Sequence, residues 1–431
     1  MKLDTKSLRY LTPEDWRVLI AVEMGSRNHE IVPTTLIDRT ARLKGGSSGV
    51  HRSISTLAKT GLIARVKEAK YDGYRLTYGG LDYLAMHTYS QKDVVYSVGH
   101  RVGVGKESDI VMVAAKTGEQ RILKIHRLGR ISFRTVKTNR DYLRKRQGGS
   151  WMYLSRLSAM REYAFLEALR EEGFPVPEPF AQSRHTIVMS FIDNALPLRQ
   201  VSEVPDVAGL YADIIGLILR LARHGLIHGD FNEFNIMIQE QKVEKHSSKA
   251  ASKQAGSEES AAGRSQIKED ADEEEALATV PILIDFPQMV SMEHRNAEMY
   301  FDRDVACVKR FFERRFHFTS TQPGPFYKDA LAIVGKNGAK RIDIAVEASG
   351  FTKKMSKDLE AAIAEQRDNE LADVDDEDDD EDEEDDEDED EDDDNETGEQ
   401  EDKVTIIGEQ QTTLADDVAE KMPQLSLNSK T

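Results

Sequence analysis

An α+β fold class is predicted: a small helical domain closed by a β-hairpin, a strand-rich segment leading into a helix-rich one, and an acidic tail. Three observations carry it. Helical spacing dominates the first sixty residues and then gives way to two short strands around Tyr71-Asp72-Gly73. From about Val94 the period changes to that of strands, and helical spacing resumes near Leu154. Every position from Asp375 to Asp394 is Asp or Glu, twenty in succession.

Thr12-Pro13-Glu14-Asp15 opens the first helix, with a capping hydroxyl, proline at the first position and acids in the first turn. Trp16, Leu19, Ile20 and Val22 follow at helical spacing. A second helix is predicted over Thr34–Leu43. A third, capped by Ser47 or Ser48, carries Val50, Ile54 and Leu57 on one stripe and ends at Gly61. Strands at Leu62–Val66 and Tyr74–Thr77 complete residues 5–92. Three helices followed by a two-stranded wing form the winged-helix pattern. His51, Arg52 and Lys59 of the third helix are the candidates for nucleic-acid contact, with protein docking as the other reading.

Residues 93–192 read as strands Val98–Val104, Ile110–Ala114 and Arg121–Ile125, a basic mobile loop over about 127–150, a helix through Leu154–Leu169, and a strand over Thr186–Ile192. Residues 193–330 contain a helix over Val207–His224, a short strand at Ile236–Ile238 and a helix over Val305–Phe316. A low-complexity insertion, 240–279, and the acid-dominated stretch 372–402 within the 331–431 tail have the composition of disorder.

The charge is uneven. The acidic run accounts for the whole net charge of −20, and the remaining residues balance at 58 basic and 58 acidic. Residues 1–239 hold 35 Lys and Arg against 25 Asp and Glu, so a basic body that favours phosphate-rich partners carries an acidic tail. One cysteine, Cys307, excludes an intrachain disulfide and a cysteine zinc cluster. No apolar run reaches membrane-spanning length, and the charged N-terminus is unlike a signal peptide. A soluble, intracellular, monomeric protein without membrane contact is expected.

Four motifs carry chemistry. His228-Gly229-Asp230-Phe231-Asn232-Glu233-Phe234-Asn235 has an Asp five residues before an Asn, the spacing of a kinase catalytic loop. Asp230 can orient or deprotonate an attacking group, and the Asn235 carbonyl oxygen is a hard ligand suited to Mg²⁺. Ile282-Leu283-Ile284-Asp285-Phe286 delivers Asp285 at the end of an apolar strand, where kinases place a metal ligand. Gly103-Val104-Gly105-Lys106-Glu107-Ser108 lies between two strands. Its backbone N–H groups and the Ser108 hydroxyl can meet ATP phosphates, though a third glycine is missing. Lys124, inside the apolar run Ile122–Ile125, needs a partner if buried; Glu162 is the candidate for a structural ion pair, with Glu167 as the alternative. The adenine is then expected near Met189, Ser190 and Ile192, with Ser190 and Ile192 offering backbone groups.

Taken together, the order of loop, Lys, Glu, catalytic Asp and metal Asp predicts a bilobal protein-kinase-like domain. The run from Ser97 to Asp109, HGDFNEFN, the IDFPQ run beginning at Ile284 and Tyr300–Val305 resemble the RIO family of atypical kinases over about residues 5–330. The winged helix resembles its second eukaryotic branch. That resemblance implies an atypical serine/threonine kinase and ATPase with ATP and Mg²⁺ as cofactors. It would act in late cytoplasmic maturation of the pre-40S ribosomal particle, touching ribosomal proteins, assembly factors and small-subunit rRNA. Asp230 and Lys124 would be catalytic, Asn235 and Asp285 metal ligands, and Asp285 a transient acceptor of the γ-phosphate. Shuttling through the nucleus is left open. After Asp285 comes Phe286-Pro287-Gln288, with no Ala-Pro-Glu segment to hold a peptide. Two other readings share part of the pattern: a small-molecule phosphotransferase of the aminoglycoside or choline kinase type, and an RNA-binding scaffold with an inactive kinase fold.

Overall fold

The computed structural model describes residue 3 and residues 5–66, 71–128, 151–243, 276–348, 355, 357–361 and 405–406. The acidic run 375–394, most of the basic loop (129–150) and the centre of the insertion (244–275) lie outside the described residues. The chain divides into two compact units. The first holds residues up to Glu167, 178–191 and those after 346; the second holds 168–177 and 192–346.

The first unit begins with the winged helix. Helix α1 (Pro13–Ser26) starts in a capping box: the Thr12 side chain accepts from the Asp15 N–H, and Asp15 accepts from the Thr12 N–H. Strand β1 (Val32–Pro33) leads into α2 (Thr34–Ala41), which stops at a left-handed Arg42, two residues short of the expected end. Helix α3 (Gly46–Lys59) starts at Gly45 without a side-chain cap. Ser47 and Ser48 fall inside it, and the Ser47 hydroxyl donates to Asp38 instead. Strands β2 (Ile63–Arg65) and β3 (Gly73–Leu76) make the wing, with β1 on its other edge in the order β1-β3-β2.

A fourth helix, α4 (Tyr78–Gln91), was not expected. Thr77 caps it by accepting from the Gly80 N–H. Leu81, Tyr83, Leu84, Ala85, Met86 and Tyr89 are all buried, so it has no clean polar face to betray it in sequence. It leads into a twisted antiparallel sheet: β4 (Ser97–Val104), β5 (Ser108–Ala114), β6 (Gln120–His126), then helix α5 (Trp151–Glu171), then β7 (Pro179–Ser183) and β8 (Thr186–Ser190). The spatial order is β4-β5-β6-β8-β7, with Thr405–Ile406 from the expected tail paired on the free edge of β4.

One hydrophobic core runs through the winged helix and this sheet, from Trp16, Leu19 and Leu57 to Leu123, Ile125 and Val188. Polar contacts reinforce it. The Tyr89 hydroxyl donates to the Thr186 carbonyl at 2.9 Å, and Arg184 grips both oxygens of Glu23 at 2.6 and 2.7 Å. The winged helix is therefore fused to the sheet, not tethered to it.

In the second unit, β9 (Ala195–Pro197) precedes α6 (Val207–Arg223), capped by Asp206 on the Gly209 N–H. Strand β10 (Leu226–Ile227) introduces the catalytic-loop motif. Strands β11 (Ile236–Val243) and β12 (Ala276–Leu283) follow as a hairpin in the order β12-β11-β9. Both arms run on into the expected insertion, because the pairing from Glu240↔Thr279 to Val243↔Ala276 uses backbone groups that polar residues supply as well as apolar ones. Strand β13 (Val290–Ser291) pairs back on β10, and α7 (Ala297–Phe316) begins eight residues before the expected start. Helices α8 (Tyr327–Ala332) and α9 (Ile342–Ala348) carry buried Ala330, Ile342 and Val346, so packed structure continues past residue 330.

Candidate active site

The residues singled out in sequence fall in both units, the 103–108 loop and Lys124 in the first and Asp230, Asn235 and Asp285 in the second. In the first unit, Gly105 N–H donates to the Ser108 carbonyl at 2.8 Å, closing a tight turn between β4 and β5. A side chain on Gly103 would meet nothing within 4 Å, so open space lies over this backbone. Lys106 at the tip is exposed, and the Glu107 carbonyl accepts from the Arg127 N–H at 2.5 Å.

Strand β6 has two faces with different duties. Lys124, only 6 % exposed, donates from Nζ to Glu162 Oε1 at 2.7 Å, and His126 lies on the same face. Glu167 is not its partner: that carboxylate sits by the Tyr163 phenol, where burial first and then the neighbouring acid push the phenol up to about 12. Burial would raise the Glu162 carboxyl. The adjacent Lys124 charge and His126 outweigh it and hold the group at about 2, well below 4.5.

On the opposite face, Arg127 is buried, although the sequence placed it in the mobile loop. Its guanidinium donates to Asp82 Oδ1 and Oδ2 of α4 at 2.8 and 2.6 Å and to Asp109 Oδ2 at 3.2 Å. His185 Nε2 lies 2.8 Å from Asp82 Oδ1. A planar fork with five donors is the side chain that can satisfy several acids at once, so burial here is compatible with charge.

Met189 is buried on β8. Ser190 corrects an expectation: its N–H donates to the Glu178 carbonyl at 2.9 Å, and its hydroxyl accepts from the Glu178 N–H. That N–H is occupied and unavailable to a base edge. Ile192 starts the connector in the second unit.

In the second unit, Gly229 has φ +79°, and a Cβ there would stand 2.7 Å from the Gln288 carbonyl oxygen, so only glycine fits. Asp230 Oδ1 accepts from Asn232 Nδ2 at 3.0 Å and Oδ2 from Asn235 Nδ2 at 2.9 Å. With its amide nitrogen turned to Asp230, Asn235 keeps Oδ1 for a cation. Its backbone carbonyl accepts from the Ile284 N–H at 3.1 Å, joining the loop to the strand that ends in Asp285. His228 adds a second tie: Nε2 lies 3.3 Å from the Ile284 carbonyl, and the ring packs edge-on against Phe231 and Phe286.

Asp285 itself is left-handed, with φ 70°, an uncommon conformation for a non-glycine residue, held between buried Leu283 and Phe286. Among the described residues no three or more His, Cys, Asp and Glu converge. One carboxylate and one amide oxygen, with phosphates and water completing the shell, is the donor set that suits Mg²⁺ and not zinc.

Asp304 of α7 was missed as a site residue. It is 2 % exposed and accepts from the Gly229 and Phe231 N–H groups at 2.8 and 3.2 Å, while Arg303 donates to the Gly229 carbonyl. Burial raises the Asp304 carboxyl, against His228, the two N–H groups and Arg303. The signal was in the sequence: an acid on the apolar stripe of Phe301, Val305, Val308 and Phe312.

The pairing of Glu162 has a pH consequence. A carboxyl depressed on folding stabilises above its ordinary 4.5, and that contribution fades as pH falls toward 2. Wild type should exceed Glu162→Gln in unfolding free energy by roughly 2–3 kcal/mol more at pH 6 than at pH 3. Urea titrations at both values measure this, and an equal gap at the two would refute it.

Known proteins match both the winged helix and the domain that follows it. A family model described as RIO domain matches residues 109–244 and 277–323, and one described as Rio2, N-terminal, matches 8–92. The serine/threonine-protein kinase rio2 of Schizosaccharomyces pombe is 48 % identical over 360 residues, covering 84 % of this chain and 92 % of that one. The chain belongs to the Rio2 family of RIO kinases. It is thus a serine/threonine-protein kinase by family. The Saccharomyces cerevisiae kinase RIO2 is 45 % identical over 382 residues, covering 85 % of this chain and 82 % of its own length. The crystal structure of the Rio2 kinase–ADP/Mg²⁺–phosphoaspartate complex from Chaetomium thermophilum is 69 % identical. It superposes with a TM-score of 0.74 over 85 % of this chain and 100 % of that one. Among Rio2 kinases the winged helix is thus a named part of the molecule, and α4 is the element through which it joins the sheet here.

Proposed function

We propose that this chain turns over ATP with Mg²⁺ to control its own residence on the precursor of the small (40S) ribosomal subunit, in the cytoplasm, during late rRNA processing. The observation that carries this reading is the continuous core between the winged helix and the strand bearing Lys124. A domain of nucleic-acid-binding type is thereby built into the nucleotide half of the molecule. His51, Arg52 and Lys59 are exposed on α3, although Arg52 already reaches Glu14 at 3.4 Å. They, and the Lys and Arg residues that follow Leu128 in the sequence, supply the positive charge for rRNA. The protein acts as a monomer among ribosomal proteins and assembly factors.

In this reading Gly103, Gly105, Lys106, Glu107 and Ser108 hold phosphates, Lys124 neutralises them, and Met189 and Ile192 face the adenine. Asn235 and Asp285 hold Mg²⁺, which when bound neutralises charge on the phosphates. Asp230 orients the attacking group, its carboxylate fixed by Asn232 and Asn235. The Chaetomium complex contains a phosphoaspartate. By analogy an Asp285 oxygen attacks the γ-phosphorus, ADP leaves with the bond electrons, and water later releases phosphate. Phosphorylation of protein serine or threonine is secondary to this cycle.

The test is a pull-down of tagged Asp230→Ala as the sole copy. If turnover drives release, the variant should carry more late small-subunit precursors than wild type, with unprocessed rRNA accumulating in the cytoplasm. Fewer precursors on the variant would overturn the release reading.

A further inference from the structure

Two buried polar atoms beside the Lys124–Glu162 pair are left over by it. His126 follows Lys124 by two residues on β6 and is 2 % exposed. Its Nδ1 lies 3.0 Å from Ser158 Oγ. Its Nε2 stands 2.9 Å from Glu162 Oε2, yet the two atoms do not close a well-aligned hydrogen bond. Ser158 and Glu162 are one helical turn apart on α5 and so share a face. Strand alternation puts Lys124 and His126 on the face that meets them. The four side chains form one buried row: Ser158, His126, Glu162, Lys124.

An imidazole in this position is costly, since an apolar side chain of similar size would fill the space without burying polar atoms. An incompletely bonded buried pair next to a reacting group calls for a role. Lys124 has two claims on it, the Glu162 carboxylate and the nucleotide phosphates. As the ammonium leans toward phosphate, Glu162 Oε1 loses part of its partner, and a carboxylate held at one oxygen can rotate. A second donor at Oε2 prevents that. A Ser158 hydroxyl donating to Nδ1 leaves the ring proton on Nε2, the atom that faces Glu162.

We infer that His126, oriented by Ser158, is a positioning residue of the nucleotide site: it holds the free oxygen of Glu162 so that Lys124 stays aimed at the ATP phosphates. The inference rests on the nucleotide reading of Lys124 given above. It assigns His126 no contact with ATP. Its action passes entirely through Glu162.

The experiment uses the full chain and compares wild type, His126→Leu, His126→Gln and Ser158→Ala by ATP turnover across ATP·Mg²⁺ concentration, with thermal melting in parallel. Leucine keeps the bulk and removes the donor; it should raise KM for ATP about tenfold, equivalent to one weakened charge-assisted contact, with kcat little changed. Glutamine places an amide N–H about where Nε2 was, and should return KM to within roughly threefold of wild type. Ser158→Ala should fall between. A merely structural histidine would shift melting temperature and leave this order absent. KM unchanged in His126→Leu overturns the inference, as does a glutamine variant no better than leucine. If His126→Leu melts early, binding of a fluorescent ATP analogue measured well below its melting temperature separates the same outcomes. Absence of ATP turnover in wild type would instead defeat the nucleotide reading itself, before any variant is compared.

Discussion

Asp285→Asn is expected to lower Mg²⁺-dependent ATP turnover by about 10³-fold, while metal-free nucleotide binding changes little. Replacing a carboxylate ligand by a neutral amide removes a full charge from the cation's shell, and several kcal/mol of that interaction bears on the reacting phosphates. Each factor of ten in rate corresponds to about 1.4 kcal/mol, and the amide also lacks the carboxylate oxygen proposed above to accept the γ-phosphate, so both losses lower turnover. Asparagine is the substitution to use because it tolerates the left-handed backbone that Asp285 adopts, at φ 70°. Alanine would add backbone strain to the loss of the ligand. Equal turnover in variant and wild type, at saturating ATP and Mg²⁺, would remove Asp285 from the metal site.

Arg127→Ala is expected to destabilise the first unit by roughly 3–5 kcal/mol, because it removes the guanidinium that bonds the buried carboxylates of Asp82 and Asp109. Asp82 and Asp109 both lose charge-assisted hydrogen bonds of 2.6–3.2 Å. Burial alone would raise the Asp82 carboxyl; His185 and Arg127 outweigh it and keep the group low. With Arg127 gone, part of what offsets burial is lost and the Asp82 carboxyl should rise, with His185 still beside it. Chemical denaturation at pH 7 measures the cost, and a loss below about 1 kcal/mol would show the cluster to be solvated.

What could be read from sequence was whatever expressed itself as local cost. A lysine in the apolar run of β6 demanded a carboxylate, and Glu162 is 2.7 Å away. Thr12 and Asp15 announced a helix start by their spacing. Asp230 and Asn235 were legible because a five-residue spacing constrains a loop. What failed depended on surroundings that the sequence does not print. Helix α4 is buried on several sides, so its apolar residues have no single period. Ser190 looked available until β8 was paired with neighbours and its N–H met Glu178. Arg127 read as the first residue of a basic loop, since its partners lie 45 and 18 positions away in sequence. Asp304 touches the catalytic loop from 73 to 75 positions downstream, a distance over which spacing carries no information.

The two faces of β6 also bear on how this molecule can be cut or recombined. Leu123 and Ile125 look toward the winged helix, and Lys124 and His126 look toward α5. A chain truncated to begin after residue 92 would keep every nucleotide-site residue, yet it would expose the Leu123, Ile125 and Val188 surface and strand Arg127 without Asp82. Such a fragment should aggregate before its activity can be judged. A chimaera carrying a foreign winged helix would need an acid at the place of Asp82 and another at the place of Glu23, or Arg127 would keep only the Asp109 carboxylate and Arg184 would lose its own. Insertion of one residue within β6 would be worse still, since it would turn the docking side chains toward α5 and the nucleotide-site side chains toward the graft.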